Sequence, residues 1–404
     1  MAQGPLAGIR VVDLTSVVLG PYATQTLGDM GADVIKVEAP EGDVLRGIAP
    51  LRSPGMGAVF MNANRNKRSV ALDLKQKAAR AALLRLVAGA DVFVHSMRPR
   101  AIARLGLAWE DLKAVNPRLV YCSAWGFGQG GPYEDKPAYD DVIQAMSGVA
   151  DLAARQRADG EPRYAPTILA DKTAGLTVTW AIAMALFHRE RTGEGQEVEV
   201  PMFETLTSFV LLEHMAGAVF DPPGGPMGYD RVLAPHRRPY ATADGHITVM
   251  PYTTKQWQRF FVAAGRPEMA DDVRVTDAGA RSRAIAELYG MIADAMPARP
   301  TAEWLATFEE ADIPAMPVNR LEDLPEDPHL KATGFFQRLD HPTEGPLVTT
   351  AIPVRFKASP GAIRRGAPRL GAHTREVLAE AGLSSGEIDA LLATGAGRQA
   401  EDAA

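Results

Sequence analysis

The chain has 404 residues, 46% of them hydrophobic and 23% charged, with a formal net charge of −6. That balance describes a folded protein with a large core and argues against a nucleic-acid partner, which would need a broad basic face. A single cysteine, Cys122, excludes an internal disulfide framework and a cysteine-based metal cluster and fits a reducing cytoplasm. No secretory leader is visible at the amino terminus, and no apolar run is long enough to cross a bilayer.

In chain order, Ile9 to Leu14 reads as a strand, Pro21 to Met30 as a helix and Val34 to Glu38 as a strand. The alternation continues with a strand over Ser69 to Leu74, a helix over Lys75 to Ala88 and a strand over Asp91 to His95. A helical stretch near Trp109 to Val115 stops at Asn116-Pro117, and Leu119 to Ala124 is the next strand. Strands separated by helices imply crossover connections and parallel neighbours, so the fold class is α/β with a large open Rossmann-like parallel sheet. Lys172 to Arg189 is apolar on nearly every side and is expected to be a helix buried all round. Glu197 to Val200 reads as a strand and Met202 to Val219 as a helix.

The Pro/Gly cluster Phe220 to Pro226 marks a domain boundary. Beyond it, Pro239 to Val249 reads as a hairpin around Asp244-Gly245. Leu330 to Leu370 reads as extended chain and Ala372 to Leu383 as a short helix. Ala393 to Ala404 has little to bury and is expected to fray.

The candidate chemistry centres on Asp171, at the start of the long apolar helix. An aspartate there either caps free backbone N–H groups or serves as a nucleophile in a dry cleft, and residue type alone favours the cap. The basic residues of Asn64 to Arg68, Lys75, Arg98, Arg100 and Arg104 lie near strand ends, where open α/β sheets bind ligands, and suit a phosphorylated one. No histidine spacing matches a catalytic zinc site, and neither a P-loop nor a dinucleotide fingerprint is present.

Several stretches together resemble the family III coenzyme A transferases, a group that includes α-methylacyl-CoA racemases. They are Gly8 to Leu14, Gly20-Pro21, Gly31 to Glu38, Asn66 to Ser69 with Leu72 to Lys75, Leu105-Gly106, Asn116 to Leu119, Ala170-Asp171 and Arg191 to Gln196. The resemblance implies that Asp171 is the nucleophile. It would form an aspartyl anhydride and then an aspartyl-CoA thioester while CoA passes from an acyl-CoA donor to a carboxylic acid acceptor. It also implies CoA contacts from Val17, Val18, Leu72, Asp73, Leu74, Lys75, Ser96, Met97, Arg98, Arg104, Pro137, Ala138, Tyr139 and Asp140. No metal and no tightly bound cofactor is implied, coenzyme A being substrate. The resemblance also implies a homodimer of interlocked rings, in which residues 1–221 and the returning segment 331–404 form a large domain and residues 222–330 a smaller α+β domain inserted between them.

Two departures bear on the site. Ala39 stands where formyl-CoA transferase has an arginine, so Arg65, Arg98 or Arg100 is expected to supply the missing phosphate contact. The racemase branch has a histidine where this chain has Tyr139, a poor α-proton base near neutrality, so transfer is expected over racemisation. A non-catalytic CoA-binding protein would have lost the Asp171 carboxylate. The Gly126 to Gly131 loop is expected to help shield the covalent intermediates.

Overall fold

A computed structural model describes residues 4–157 and 159–400. The chain divides into two compact units. The larger comprises Met1–Ser147, Ala165–Phe209 and Pro328–Ala404, and the smaller Gly148–Tyr164 and Val210–Asp327.

The larger unit carries strands β1 (Arg10–Leu14), β2 (Asp33–Glu38), β3 (Lys67–Leu72), β4 (Val92–His95), β5 (Val120–Trp125) and β6 (Gln196–Pro201). The smaller unit carries β7 (Tyr240–Ala241), β8 (His246–Val249) and β9 (Ala315–Pro317). The antiparallel hairpin β10 (Phe336–His341) and β11 (Gly345–Thr350) and a last short strand, β12 (Gly397–Arg398), belong to the larger unit again.

The main sheet has the order β12-β3-β2-β1-β4-β5-β6. β1 to β6 are parallel, and the order reverses between β1 and β4, which opens a crevice beyond their carboxyl ends. One face of the sheet, with Val12, Ile35, Val70, Phe93 and Tyr121, packs into a core shared with helix Lys77–Ala88 and the carboxyl-terminal helices Thr374–Glu380 and Ser385–Ala393. By strand alternation, Asp13, Lys36 and Lys67 point to the other face. All three are fully buried there, and Lys67 Nζ lies 3.2 Å from Asp13 Oδ2.

Two expectations fail. Helix Leu169–Thr192 is not buried all round: Leu176, Trp180, Met184 and Phe187, spaced at helical intervals, form an exposed stripe, Met184 at 63%. An all-apolar helix has two physical origins, core burial on every side or a core face plus an uncovered apolar face, and the sequence does not separate them. Nor does the chain fray from Ala393: β12 pairs antiparallel with β3, and Asp73 N donates to Ala396 O at 2.9 Å. Residues 401–404 lie outside the described residues.

The smaller unit is built on an aromatic core of Trp257, Phe260, Phe261, Tyr289, Trp304 and Phe308. Its β7–β8 hairpin pairs Tyr240 with Ile247 and Ala241 with His246, turning at Asp244-Gly245 as the sequence predicts.

Candidate active site

Asp171 lies in the first turn of helix Leu169–Thr192, and Asp140 takes the capping role there. Asp140 Oδ1 accepts the N–H groups of Ala170 and Asp171 at 2.7 and 3.1 Å. The Asp171 carboxylate has no hydrogen-bond donor among the described residues. Burial, and then the nearby Asp140 charge, push its pKa up to about 6. The result is a desolvated, unengaged carboxylate that is largely ionised at neutral pH.

One turn later, Gly175 brings this helix against the start of helix Leu19–Asp29. A Cβ at position 175 would stand 2.7 Å from the Leu19 carbonyl oxygen, so only glycine permits the approach. Helix Leu19–Asp29 has no side-chain cap at Val18, and the N–H groups of Val18, Leu19 and Gly20 have no acceptor among the described residues. Leu19 and Asp171 line the same cleft of about 390 Å³, so the uncapped start of this helix lies at the cleft that holds the carboxylate.

Of the residues expected to touch CoA, Val17, Ser96, Met97, Arg98, Pro137, Ala138 and Tyr139 line this cleft with Asp171. A second cleft of about 560 Å³ is lined by Leu72, Asp73, Leu74, Lys75, Met97 and Arg104. The two adjoin, sharing Leu14, Ser16, Met97 and Ala101, and together make an elongated recess at the β1/β4 switch point. Val18 is buried with its side chain off both clefts, and Asp140 acts through the helix cap just described. Sequence reading missed Ser16, Leu19, Trp125 and Met202 on the first cleft and Lys36, Glu38 and Asp43 on the second. That they follow strand ends was the available signal for most of them.

The basic cluster splits. Arg65 is buried against Asp29, with Nη2 2.6 Å from Oδ2, and Arg68 is held by Asp33, Glu376 and Glu380. Both precede or begin β3, at the end of the sheet away from the crevice, so Arg65 is not free to bind phosphate. Arg98, Arg100 and Arg104 instead border one surface recess with Asp135, which pairs with Arg100. In the glycine-rich loop only Gly126 reaches the Asp171 cleft. The N–H groups of Gly128, Gln129 and Gly130 are taken by the carboxylates of Glu204, Glu199 and Glu134.

His95, at the end of β4, is neutral: burial lowers its pKa to about 4, and its Nδ1 accepts Met97 N–H at 3.2 Å, fixing the turn that carries Met97. Cys122 is buried with its thiol pushed up to about 12, an inert core group. Among the described residues no cluster of histidine, cysteine and carboxylate side chains could hold a metal, and no helix is long and apolar enough to cross a membrane.

Residues 6–374 match the model of CoA-transferase family III. The chain is 35% identical to a succinate–glutarate CoA-transferase of Agrobacterium fabrum, covering 93% of this chain and 95% of that one. It is 33% identical to a formyl-CoA:oxalate CoA-transferase of Streptomyces coelicolor, covering 98% and 100%. Among solved structures, a CaiB/BaiF family protein from Brucella suis superposes with a TM-score of 0.79 at 32% identity, covering 94% of this chain and all of that one. With a switch-point recess ending at a buried carboxylate and a family match across nearly its whole length, the chain belongs to the family III CoA-transferases.

Proposed function

We propose that the protein moves CoA from an acyl-CoA donor to a carboxylic acid acceptor, with Asp171 as the nucleophile. The observation that carries this reading is the unengaged Asp171 carboxylate at one end of an elongated recess bordered by Lys75, Arg98 and Arg104. In the first step the carboxylate oxygen attacks the thioester carbon; the C–S bond breaks, giving a mixed anhydride and CoA thiolate. The thiolate then attacks the aspartyl carbonyl, releasing the donor carboxylate and leaving an aspartyl-CoA thioester. The acceptor carboxylate then attacks the aspartyl carbonyl and expels CoA thiolate, giving a second anhydride, and the thiolate attacks the acceptor carbonyl of that anhydride, forming acceptor-CoA and releasing the Asp171 carboxylate. Each stage passes through an oxyanion, and the unpartnered N–H groups of Val18, Leu19 and Gly20 are suited to stabilise it.

Racemisation finds less support, because Asp140 is committed to the helix cap and to Gln144 and Tyr139 is exposed. The succinate and glutarate named for the Agrobacterium relative make dicarboxylates our proposed substrate class; Arg98 is the one cation among the residues lining the Asp171 cleft. The exposed stripe Leu176, Trp180, Met184 and Phe187 supports a dimer, which we propose to be the interlocked-ring homodimer. The buried Cys122 suits the cytoplasm.

The test is transfer between succinyl-CoA and a panel of dicarboxylates, read by mass spectrometry, with hydroxylamine trapping of the intermediate. Modification at Asp171 and loss of turnover in Asp171→Ala are expected. Turnover surviving in Asp171→Ala would overturn the mechanism.

A further inference from the structure

The loop joining β1 to helix Leu19–Asp29 turns through Val17 at φ +68°. A β-branched residue disfavours that left-handed region, so something must hold it there. The holder is visible: Val17 N–H donates to the Asp43 carboxylate, 3.2 Å from Oδ2 and 3.4 Å from Oδ1. Asp43 is itself fixed from several sides. Lys36 Nζ donates to its Oδ2 at 3.1 Å, its own N–H donates to Glu38 Oε1 at 3.0 Å, and Leu45 N–H donates to its Oδ1 at 3.0 Å.

Lys36 Nζ also donates to the carbonyl oxygen of Thr15 at 2.9 Å, so one buried ion pair grips the loop at two points two residues apart. Both side chains are excluded from water, at 0% and 1% exposure. An ion pair beneath strand ends is a structural element in many folds. Here its anion meets a strained amide one residue before the unpartnered N–H groups that start helix Leu19–Asp29, whose first residue lines the cleft of Asp171.

We infer that Asp43, anchored by Lys36, is a positioning residue for acyl transfer: by pinning Val17 in the left-handed conformation it aims the Val18, Leu19 and Gly20 N–H groups at the acyl group on Asp171. The inference rests on the reading of Asp171 as nucleophile. Asp43 itself touches no reacting atom. Its effect falls on the transition state more than on CoA binding, because the donors it aims act on charge that develops during the reaction.

The experiment combines Asp43→Ala and Asp43→Asn with Val17→Gly in single and double variants. Glycine takes a positive φ without the steric penalty of valine, so it should keep the loop's shape with less help from Asp43. Two readouts are needed: kcat and KM with succinyl-CoA and glutarate, and hydrogen–deuterium exchange of the peptide covering residues 15–20, which requires no substrate. The Asp43 variants are expected to exchange faster over that peptide and to lose about 10²-fold in kcat, with KM for succinyl-CoA changed by less than about threefold. In the V17G background the kcat penalty should shrink by about tenfold.

If Asp43→Ala fails to fold, Asp43→Asn carries the test, since it preserves the shape while removing the charge that pairs with Lys36. Unchanged exchange over residues 15–20, or an equal penalty with and without Val17→Gly, overturns the inference. Turnover that persists in Asp171→Ala sinks the nucleophile reading instead and leaves the exchange result standing.

Discussion

Asp140 caps the helix on which Asp171 stands, and in doing so brings a second negative charge up to the Asp171 carboxylate. One carboxylate satisfies the backbone and the other has no hydrogen-bond donor among the described residues. Burial together with this like charge gives Asp171 its raised pKa of about 6.

The first prediction is a pH dependence. Attack requires the ionised carboxylate, so kcat/KM should fall as pH drops through about 6, and Asp140→Asn should move that acid limb to lower pH. The stability sign is opposite. A carboxyl with a raised folded-state pKa binds its proton more tightly when folded, so its contribution is full below its ordinary value of 3.8 and is lost as pH rises through about 6. Asp171→Asn should therefore raise the unfolding free energy at pH 7.5 by ~1–3 kcal/mol, measured by urea denaturation.

Gly175→Ala should damage both fold and catalysis. The added Cβ meets the Leu19 carbonyl oxygen and forces the two helices apart, with ~1–3 kcal/mol lost in denaturation and a falling kcat. Wild-type kcat in a variant of lowered Tm would separate the packing role from the catalytic one.

Two arginines of the same sequence cluster type should behave differently. Arg104→Ala should raise KM for acyl-CoA in a salt-dependent way and leave Tm nearly unchanged. Arg65→Ala breaks the buried pair with Asp29 and should cost ~3–5 kcal/mol of stability, with little effect on KM in the molecules that remain folded. Thermal melts and Michaelis kinetics on the two variants check both halves.

Met184→Glu places a charge in the exposed apolar stripe of helix Leu169–Thr192. Native mass measurement should show the wild type as a dimer and the variant shifted toward monomer by at least about tenfold in dissociation constant. A wild-type monomer at micromolar concentration would remove the assembly proposal.

The parallel sheet was legible because strands covered on both faces read as continuous apolar runs, and several residues that line the two clefts after β1, β3 and β4 could be named from strand ends and family pattern. Lys36 and Lys67 were harder. Charged residues inside a strand look like surface positions until a partner is brought beneath them, Asp43 from the loop that follows β2 for Lys36 and Asp13 from the distant β1 for Lys67. Arg65 and Arg98 were grouped as residues near strand ends, although Arg65 precedes β3 and Arg98 follows β4, and in a parallel sheet that difference puts them at opposite ends. The link from Asp43 to Val17 depends on the sign of one backbone angle, which a valine codon does not announce. By contrast, Ser384 and Glu387 do announce the helix Ser385–Ala393: they form a capping box that the sequence displayed and the reading passed over.

The pairing of Gly397 and Arg398 with β3 ties the second cleft to the far end of the described chain. Leu72 and Asp73, which line the second cleft, receive their last backbone partners from residues 396–398. A chain cut before Ala396 would leave that edge of β3, beside the second cleft, without its backbone partners.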